Sequence, residues 1–355
     1  MSGSRNIAVV LPNWIGDVVM ATPTLRAIRE GLSPGDRVVG IMKPYVQDVL
    51  AGTNFLDDVI LWNKKSNDAS QRFLSVVKKI RQQRFDQAIL LPNSMSSAGL
   101  AYLGGAKERV GYRRYGRGPL LTHALNPPTE NGKRIPVSAV DYYLSLAELA
   151  GYDVRTRHCE LGFTEVDDLR AQVLWRQYRF FERRVIVFNT GGAYGGAKHW
   201  PADYYTVFAR RLVEDPRNAV LLICGPSERE TVAQIQREVN HPFVRSLAEE
   251  NPSIGLSKAV INMASLMITT DSGPRHFAAA FNTPSVAIFG PTDPRWAENY
   301  NPHELILSSG ADCAPCAERE CPLKHHRCMR DLAVEDVLRA AQRQLDWQTD
   351  QSKVA

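Results

Sequence analysis

Ile7-Ala8-Val9-Val10-Leu11-Pro12-Asn13-Trp14-Ile15-Gly16-Asp17 is the stretch whose reading decides the fold. Its first five residues are apolar without alternation, the pattern of a strand buried on both faces of a parallel sheet. A polar turn follows, and residues 18–31 then carry helical spacing. The same order of parts returns far downstream: Leu266-Met267-Ile268-Thr269-Thr270, the turn Asp271-Ser272-Gly273-Pro274-Arg275-His276, and a helix to Phe281. Strand, tight polar turn and helix place backbone N–H groups and the positive helix end at the carboxyl edge of a sheet, where open α/β sheets bind anionic ligands. Two such edges predict two doubly wound domains facing a shared cleft, with a carboxylate from one and a phosphate grip from the other.

The sequence between and around these stretches agrees. Strands are predicted at 6–11, 37–42, 58–62 and 86–91, with helices at 18–31, 44–51 and 70–83. Residues 126–136 form a loop rich in Pro, Gly and Asn, and 138–151 a helix ending at Gly151. The pattern weakens over 155–183, where the domain boundary is placed. A second alternation follows: strand 184–189, glycine loop 190–197, helix 202–214, strand 218–224, helices 227–240 and 254–265, strand 267–270, helix 274–281, strand 285–289. The predicted domains are 1–165 and 183–332, with a terminal helix at 333–348 packing back on the first domain.

A chain of 355 residues suits two domains rather than one core. With 44% hydrophobic and 23% charged residues its composition is that of a globular protein. No apolar run reaches the roughly 20 residues of a membrane helix, and the N-terminal run is too short for a secretory signal. These features predict a cytoplasmic protein. The net charge of +5 is uneven: residues 1–150 hold 19 Lys/Arg against 12 Asp/Glu. The excess sits at Lys64-Lys65, at Lys78 to Arg84, and at Lys107, Arg109, Arg113, Arg114 and Arg117. Such a patch attracts a phosphorylated substrate, a membrane surface or nucleic acid. Lys78 to Arg84 reads as the solvated face of a helix. The glycine-loosened loop around Arg109 to Arg117 is the better ligand candidate.

Asp17 begins the first helix. A carboxylate there is either a helix cap, stabilised by the macrodipole, or a general base at the carboxyl end of a strand. The loop from Thr190 and Gly191 through Gly196-Ala197-Lys198-His199-Trp200-Pro201 follows a strand. Its glycines suit a backbone wrapped on phosphate, with Lys198 as a point charge; the Walker order is absent. Asp271, Ser272 and Gly273 open a helix whose N–H groups could hold a diphosphate, and His276 could neutralise a leaving group. Glu228, after Cys224-Gly225-Pro226, could accept hydrogen bonds from a ribose or cap a helix.

Cys313, Cys316, Cys321 and Cys328 follow a Cys-x2-Cys-x4-Cys-x6-Cys pattern with His325 and His326 inside. It admits a zinc or iron–sulfur site, or disulfides. The x4 spacing is atypical for zinc, and a cytoplasmic setting disfavours disulfides. Free thiols are the preferred reading, with no metal and no cofactor.

At this point a resemblance covers nearly the whole chain. It is carried by Leu11 to Asp17, Leu91-Pro92-Asn93-Ser94, Arg109-Val110-Gly111-Tyr112-Arg113, Gly195 to Pro201, Asp271-Ser272-Gly273 with His276, and Phe289-Gly290-Pro291-Thr292. The chain resembles the ADP-heptose:lipopolysaccharide heptosyltransferases, and the type II enzymes more than type I. The resemblance implies the GT-B fold, two Rossmann-like domains, and inverting, metal-independent transfer from ADP-heptose to the heptosyl-Kdo-lipid A core. It implies Asp17 as general base, and Thr190, Gly191, Lys198, Glu228, Asp271, Ser272, Gly273 and His276 around the donor. Asn13, Trp14, Asn93, Ser94, Arg109 and Arg113 are then the acceptor-side candidates, with transient contact at the inner face of the inner membrane. Thr190 and Pro274-Arg275 depart from the type II pattern; Arg275 is expected to contact phosphate or face solvent. The rival readings are an epimerase or transferase using another nucleotide sugar, and a non-catalytic nucleotide- or metal-binding protein. A nucleic-acid binder is disfavoured, because the basic loops lack interleaved aromatic platforms.

Overall fold

The computed structural model describes residues 4–192 and 194–354. It divides into two compact units, Met1–Gly162 and Phe163–Ala355. In chain order the first unit has β1 (Asn6–Val10), α1 (Ile15–Met20), α2 (Thr22–Glu30), β2 (Arg37–Met42), α3 (Pro44–Leu50), β3 (Asp58–Leu61), α4 (Phe73–Gln83), β4 (Gln87–Leu90), α5 (Met95–Leu103), β5 (Glu108–Tyr112) and β6 (His123–Leu125). A small hairpin, β7 (Thr129–Glu130) with β8 (Lys133–Arg134), and α6 (Ala139–Leu149) complete it.

The large sheet has strand order β3-β2-β1-β4-β5-β6, and every pairing is parallel. Growth runs one way from β1 to β3 and the other way from β4 to β6. The reversal lies between β1 and β4, whose Val10 and Leu90 are in register. Strand residues Ala8, Val10, Val39, Ile41, Ala88 and Leu90 pack under α4 and α5, which contribute Val76, Ile80, Ala98 and Leu100. The α6 helix packs with α1 and α2. The predicted helix 18–31 is in fact two helices broken at Ala21, with Pro23 in the first turn of α2.

The second unit repeats the plan. It has α7 (Glu165–Gln177), β9 (Arg184–Asn189), α8 (Ala202–Leu212), β10 (Asn218–Ile223), α9 (Arg229–Val239), β11 (Val244–Ser246), α10 (Ile254–Asn262), β12 (Leu266–Thr270), α11 (Gly273–Ala280), β13 (Ser285–Ile288) and β14 (Glu304–Leu307), followed by α12 (Arg327–Arg330) and α13 (Val334–Val354). The order is β11-β10-β9-β12-β13-β14, again all parallel, with the reversal between β9 and β12. The charged stretch before β9 is α7. It is closed at its start by a capping box of Thr164 and Asp167 and is tied to the second unit by Arg170, which donates to the Asn251 carbonyl at 3.1 Å. The α13 helix packs within the second unit, where Val337, Ala341 and Leu345 join the core around Ile268 and Val286.

Several elements escape the sequence reading. The α5 helix, Met95-Ser96-Ser97-Ala98-Gly99-Leu100, has Ser and Gly in place of a clear apolar stripe. Strands β5, β6, β11 and β14 are short and lie toward the sheet margins, where only part of each strand needs to be apolar. The region 109–117 is consequently not a loose loop: Glu108–Tyr112 is a strand, and Gly111 lies in it with Arg117 beside it.

Gly104 shows how tightly α5 is set against α4. A Cβ there would lie 2.2 Å from Ile80 Cγ2 and 2.7 Å from the Leu100 carbonyl oxygen. Gly104→Ala is expected to cost about 1–3 kcal/mol of stability, read as a lower midpoint in urea unfolding.

Candidate functional site

At the carboxyl edge of the first sheet, the turn after β1 presents Asn13 and Trp14, both exposed. The Tyr45 hydroxyl, from the first turn of α3, donates to the Asn13 carbonyl. Trp14 is the N-cap of α1, without a side-chain cap bond, so Asp17 is the third helical residue and not the cap. It is half-buried, in the positive first turn of α1. Buried Tyr143 of α6 feels its charge: burial, and then Asp17, hold that phenol well above its usual range. The Asp17 carboxylate thus lies within electrostatic reach of the Tyr143 phenol.

The neighbouring loop after β4 is held by a residue that sequence reading placed only in a basic cluster. Arg117 is fully buried. It donates to the Tyr112 carbonyl at 2.8 Å, to Ser97 Oγ at 3.2 Å, to Asn93 Oδ1 at 3.1 Å and to the Pro92 carbonyl. Burial pulls its pKa down to about 10, which leaves it charged at neutral pH. With Oδ1 occupied, the Asn93 amide turns Nδ2 to the Tyr142 hydroxyl at 3.2 Å. Ser94 is the N-cap of α5 and accepts the Ser97 N–H at 3.1 Å. Arg113 follows β5 at the same edge and is exposed. Arg109 does not join them. It stands near the amino end of β5 and donates to the carbonyls of Leu120 at 2.7 Å and Ala106 at 2.6 Å, which makes it a strut of the β5–β6 connection.

In the second unit the glycine loop, whose Ala193 lies outside the described residues, meets the turn after β12 through an ion pair. Lys198 Nζ is 2.5 Å from Asp271 Oδ2 and 3.0 Å from the Asp271 carbonyl, with both side chains largely buried. Burial works to raise the Asp271 carboxyl. Lys198, and then Arg275 and the Thr292 hydroxyl at 2.7 Å, outweigh it and hold the group below its ordinary value. Asn189, the last residue of β9, binds both sides of the turn, donating to Ser272 Oγ at 2.7 Å, Thr269 Oγ1 at 3.0 Å and the Gly191 carbonyl at 3.1 Å. Its sequence signal is a polar side chain closing an apolar strand. Thr190 is buried, and among the described residues its hydroxyl has no hydrogen-bond partner.

Glu228 is the residue before α9. Its carboxylate accepts the Gly225 N–H at 2.8 Å and the Ser227 hydroxyl at 2.7 Å. Gly191 is required for this approach, because a Cβ there would come within 2.6 Å of Glu228 Cγ. Gly273 opens α11, with Ser272 as N-cap. The glycine loop, Glu228, the Asp271 turn and the start of α11 thus share the carboxyl edge at the β9/β12 reversal, an arrangement suited to a nucleotide diphosphate.

Two expectations are corrected here. Arg275 neither meets solvent nor is open to phosphate: it is fully buried and forms two hydrogen bonds with Glu304, at 2.9 and 2.5 Å. His276 is held neutral near pH 7. Burial, aided by Arg275, pushes its pKa down to about 3. Asn299 Oδ1 accepts the Asn301 N–H at 3.1 Å, which turns Nδ2 toward His276 Nδ1 at 3.4 Å and leaves the imidazole proton on Nε2.

All six cysteines are free thiols. Among the described residues no group of three or more His, Cys, Asp and Glu side chains could hold a metal ion, so the metal alternative for Cys313, Cys316, Cys321 and Cys328 has no such group behind it. The stretch instead braces the glycine loop: Ala197 N–H donates to the Arg319 carbonyl at 3.0 Å, and the Tyr194 hydroxyl to the Ala317 carbonyl at 2.6 Å.

Residues 73–327 match the family described as glycosyltransferase family 9 (heptosyltransferase). The chain is 28% identical over 356 residues to lipopolysaccharide heptosyltransferase 2 of Escherichia coli K12, covering 94% of this chain and 96% of that protein. It is 25% identical over 340 residues to lipooligosaccharide heptosyltransferase 2 of Campylobacter jejuni, with 94% and 96% covered. Among solved structures, a family 9 glycosyl transferase of Veillonella parvula superposes with a TM-score of 0.82 at 22% identity over 97% of this chain and 98% of that one. ADP-heptose lps heptosyltransferase II of E. coli superposes at 0.77, with 23% identity over 97% and 99%. The likeness confirms the expected GT-B type of fold, two α/β units each built on a parallel sheet.

A neutral, buried His276 makes stability depend on pH. In the unfolded chain it takes up a proton near pH 6.5, whereas in the fold it does so only near 3, so stability falls as pH drops through that window. The slope is about 1.4 kcal/mol per pH unit while the two states differ by one proton. His276→Gln should flatten the decline between pH 6 and 5 (a range set by the ordinary histidine value of about 6.5), measured by denaturant titration at each pH.

Proposed function

Since the chain belongs to glycosyltransferase family 9, the heptosyltransferases, we propose that it moves L-glycero-D-manno-heptose from ADP-heptose to the heptosyl-Kdo-lipid A core of lipopolysaccharide. The observation that carries this reading is likeness along nearly the whole chain to enzymes named heptosyltransferase 2, together with an anion-binding edge in the second unit built on Lys198. The acceptor places the work at the cytoplasmic face of the inner membrane. Among the described residues no helix is long and apolar enough to cross a membrane, so association would be peripheral.

Asp17 takes the proton from the acceptor hydroxyl as that oxygen attacks the anomeric carbon of the donor. The bond from that carbon to the diphosphate oxygen breaks on the opposite face, the configuration inverts, and ADP leaves with the electron pair. Its place in the first turn of α1 favours the carboxylate form that a general base requires. Asn93, held by Arg117, and Arg113 serve the acceptor, with Asn13 and Trp14 at the rim.

On the donor side, Lys198 shares its charge between Asp271 and the incoming diphosphate. The Gly273 N–H at the start of α11 and the Thr190 hydroxyl supply further donors, and Ser272 belongs to the same turn. Asp271 acts as the holder of Lys198, since its own charge would repel phosphate. Glu228 accepts from the ribose hydroxyls. His276 contributes at most a neutral Nε2–H. Lys198 and the helix end would supply the positive charge that a departing diphosphate needs, so turnover should survive chelation.

Asp17→Ala should lower turnover about 10²–10⁴-fold while leaving ADP affinity unchanged, since removal of a general base costs that much. Lys198→Ala should do the reverse in calorimetric titration, weakening ADP and ADP-heptose together. Equal loss of ADP binding in Asp17→Ala would mark that residue as structural. Tighter binding of a uridine nucleotide than of ADP would overturn the donor assignment.

A further inference from the structure

We propose that the rim of the first unit around Leu74, Met95 and Tyr115 is a docking surface for an anionic phospholipid bilayer. These three large apolar side chains are 78%, 47% and 69% exposed. Shared neighbours link them. Leu74, at the start of α4, lines an open cavity of about 630 Å³ with Lys64, Arg72 and Ser96, the last on α5. Met95 precedes Ser96, and its Cε lies 3.7 Å from where a Cβ on Gly116 would stand. Tyr115 is the next residue, with the Arg114 guanidinium 4.5 Å from its ring centre.

Charge surrounds these side chains with one sign. Lys64 and Arg72 line the cavity with Leu74, and Arg113 and Arg114 stand beside Tyr115. Of the ten Lys and Arg from Ala69 to Thr129, Arg117 is buried and Lys107 and Arg109 lie at the far edge. The same span holds only two acids, Asp86 and Glu108. Both acids are at the amino edge of the sheet, the far end from this rim, and Asp86 is paired with Lys107. The carboxylate closest in sequence to the cavity, Asp68, is engaged by Ser70 and Gln71. Helices α4 and α5 contain no acidic residue at all. Interleaved cations and apolar or aromatic side chains, without anions, match a surface that offers phosphate headgroups above and acyl chains below. A soluble acidic partner would match the charges but leave Leu74 and Met95 unexplained; exposed apolar groups clustered in this way mark interaction surfaces.

The patch adjoins Asn93 and Ser94, because Met95 follows them directly into α5. It rests on the lipid-acceptor reading for its biological sense, yet it is testable without acceptor or donor. Full-length protein is floated with vesicles of phosphatidylcholine plus phosphatidylglycerol, and with phosphatidylcholine alone. Binding is expected only to the anionic vesicles. Arg72→Glu should weaken it by roughly tenfold, since each cation near such a surface contributes several-fold. The double variant Leu74→Ser/Tyr115→Ser should weaken it at least as much, and in both variants ADP binding by the second unit should be unchanged, which reports an intact fold. Absence of wild-type binding overturns the inference, as does binding untouched by either change. Loss in Arg72→Glu alone, with equal capture of a single-stranded RNA, would assign the patch to polyanions and overturn it as well. Sugar transfer to a water-soluble acceptor without vesicle binding would leave the function standing and remove only this surface.

Discussion

Strand order reverses once in each sheet, between β1 and β4 and between β9 and β12, and everything chemical in the protein depends on that reversal. Right-handed crossovers leave the reversal point in opposite directions, so the loops that end the two central strands separate and open a crevice at the carboxyl edge. The turn leading to Asp17 and the loop carrying Asn93 follow neighbouring strands of the first sheet; the glycine loop and the Asp271 turn follow neighbouring strands of the second. A carboxylate in a first helical turn and a backbone anion site are therefore consequences of topology before they are consequences of side chains.

The two units hold their loops by different electrostatic means. Arg117 is buried among neutral acceptors, a costly choice that ties the loops after β4 and β5 into one piece and fixes the orientation of Asn93. Arg275 is buried with a carboxylate partner, Glu304, and so contributes structure without free charge. Lys198 stands between these cases. Its pairing with Asp271 orders the glycine loop, but the pair is not fully enclosed, and a diphosphate could share the ammonium. A phosphate that approached Asp271 without Lys198 would meet the repulsion of its carboxylate with no side-chain cation of the glycine loop to offset it.

Much of this was legible in sequence because parallel strands buried on both faces leave continuous apolar runs and their helices leave period. The turn at Asn13–Asp17, the glycine loop and the Asp271 turn were each found at the end of such a run. What escaped was tertiary. Nothing local distinguishes Arg117, which is buried, from Arg113, which is exposed, four residues earlier in the same basic cluster. Arg275 and His276 look like helix-surface candidates until Glu304 and Asn299, more than twenty residues away, close over them. Arg109 reads as part of a mobile basic loop, yet its place near the amino end of a short margin strand sets it at the wrong edge for chemistry.

The cysteine-rich stretch illustrates the same limit from the other side. Its spacing invites a metal, and in a chain read only by motif the four thiols would become the centre of the protein. In the fold, its backbone carbonyls do the visible work: those of Ala317 and Arg319 receive the Tyr194 hydroxyl and the Ala197 N–H. A glycine loop pays for its freedom in entropy, and an external brace reduces the number of conformations it must give up on meeting a ligand. Cys328 and Met329 fill the core beneath, tight against Gly290. The stretch is thus better understood as the outer wall of the loop that carries Lys198 than as a separate centre of chemistry.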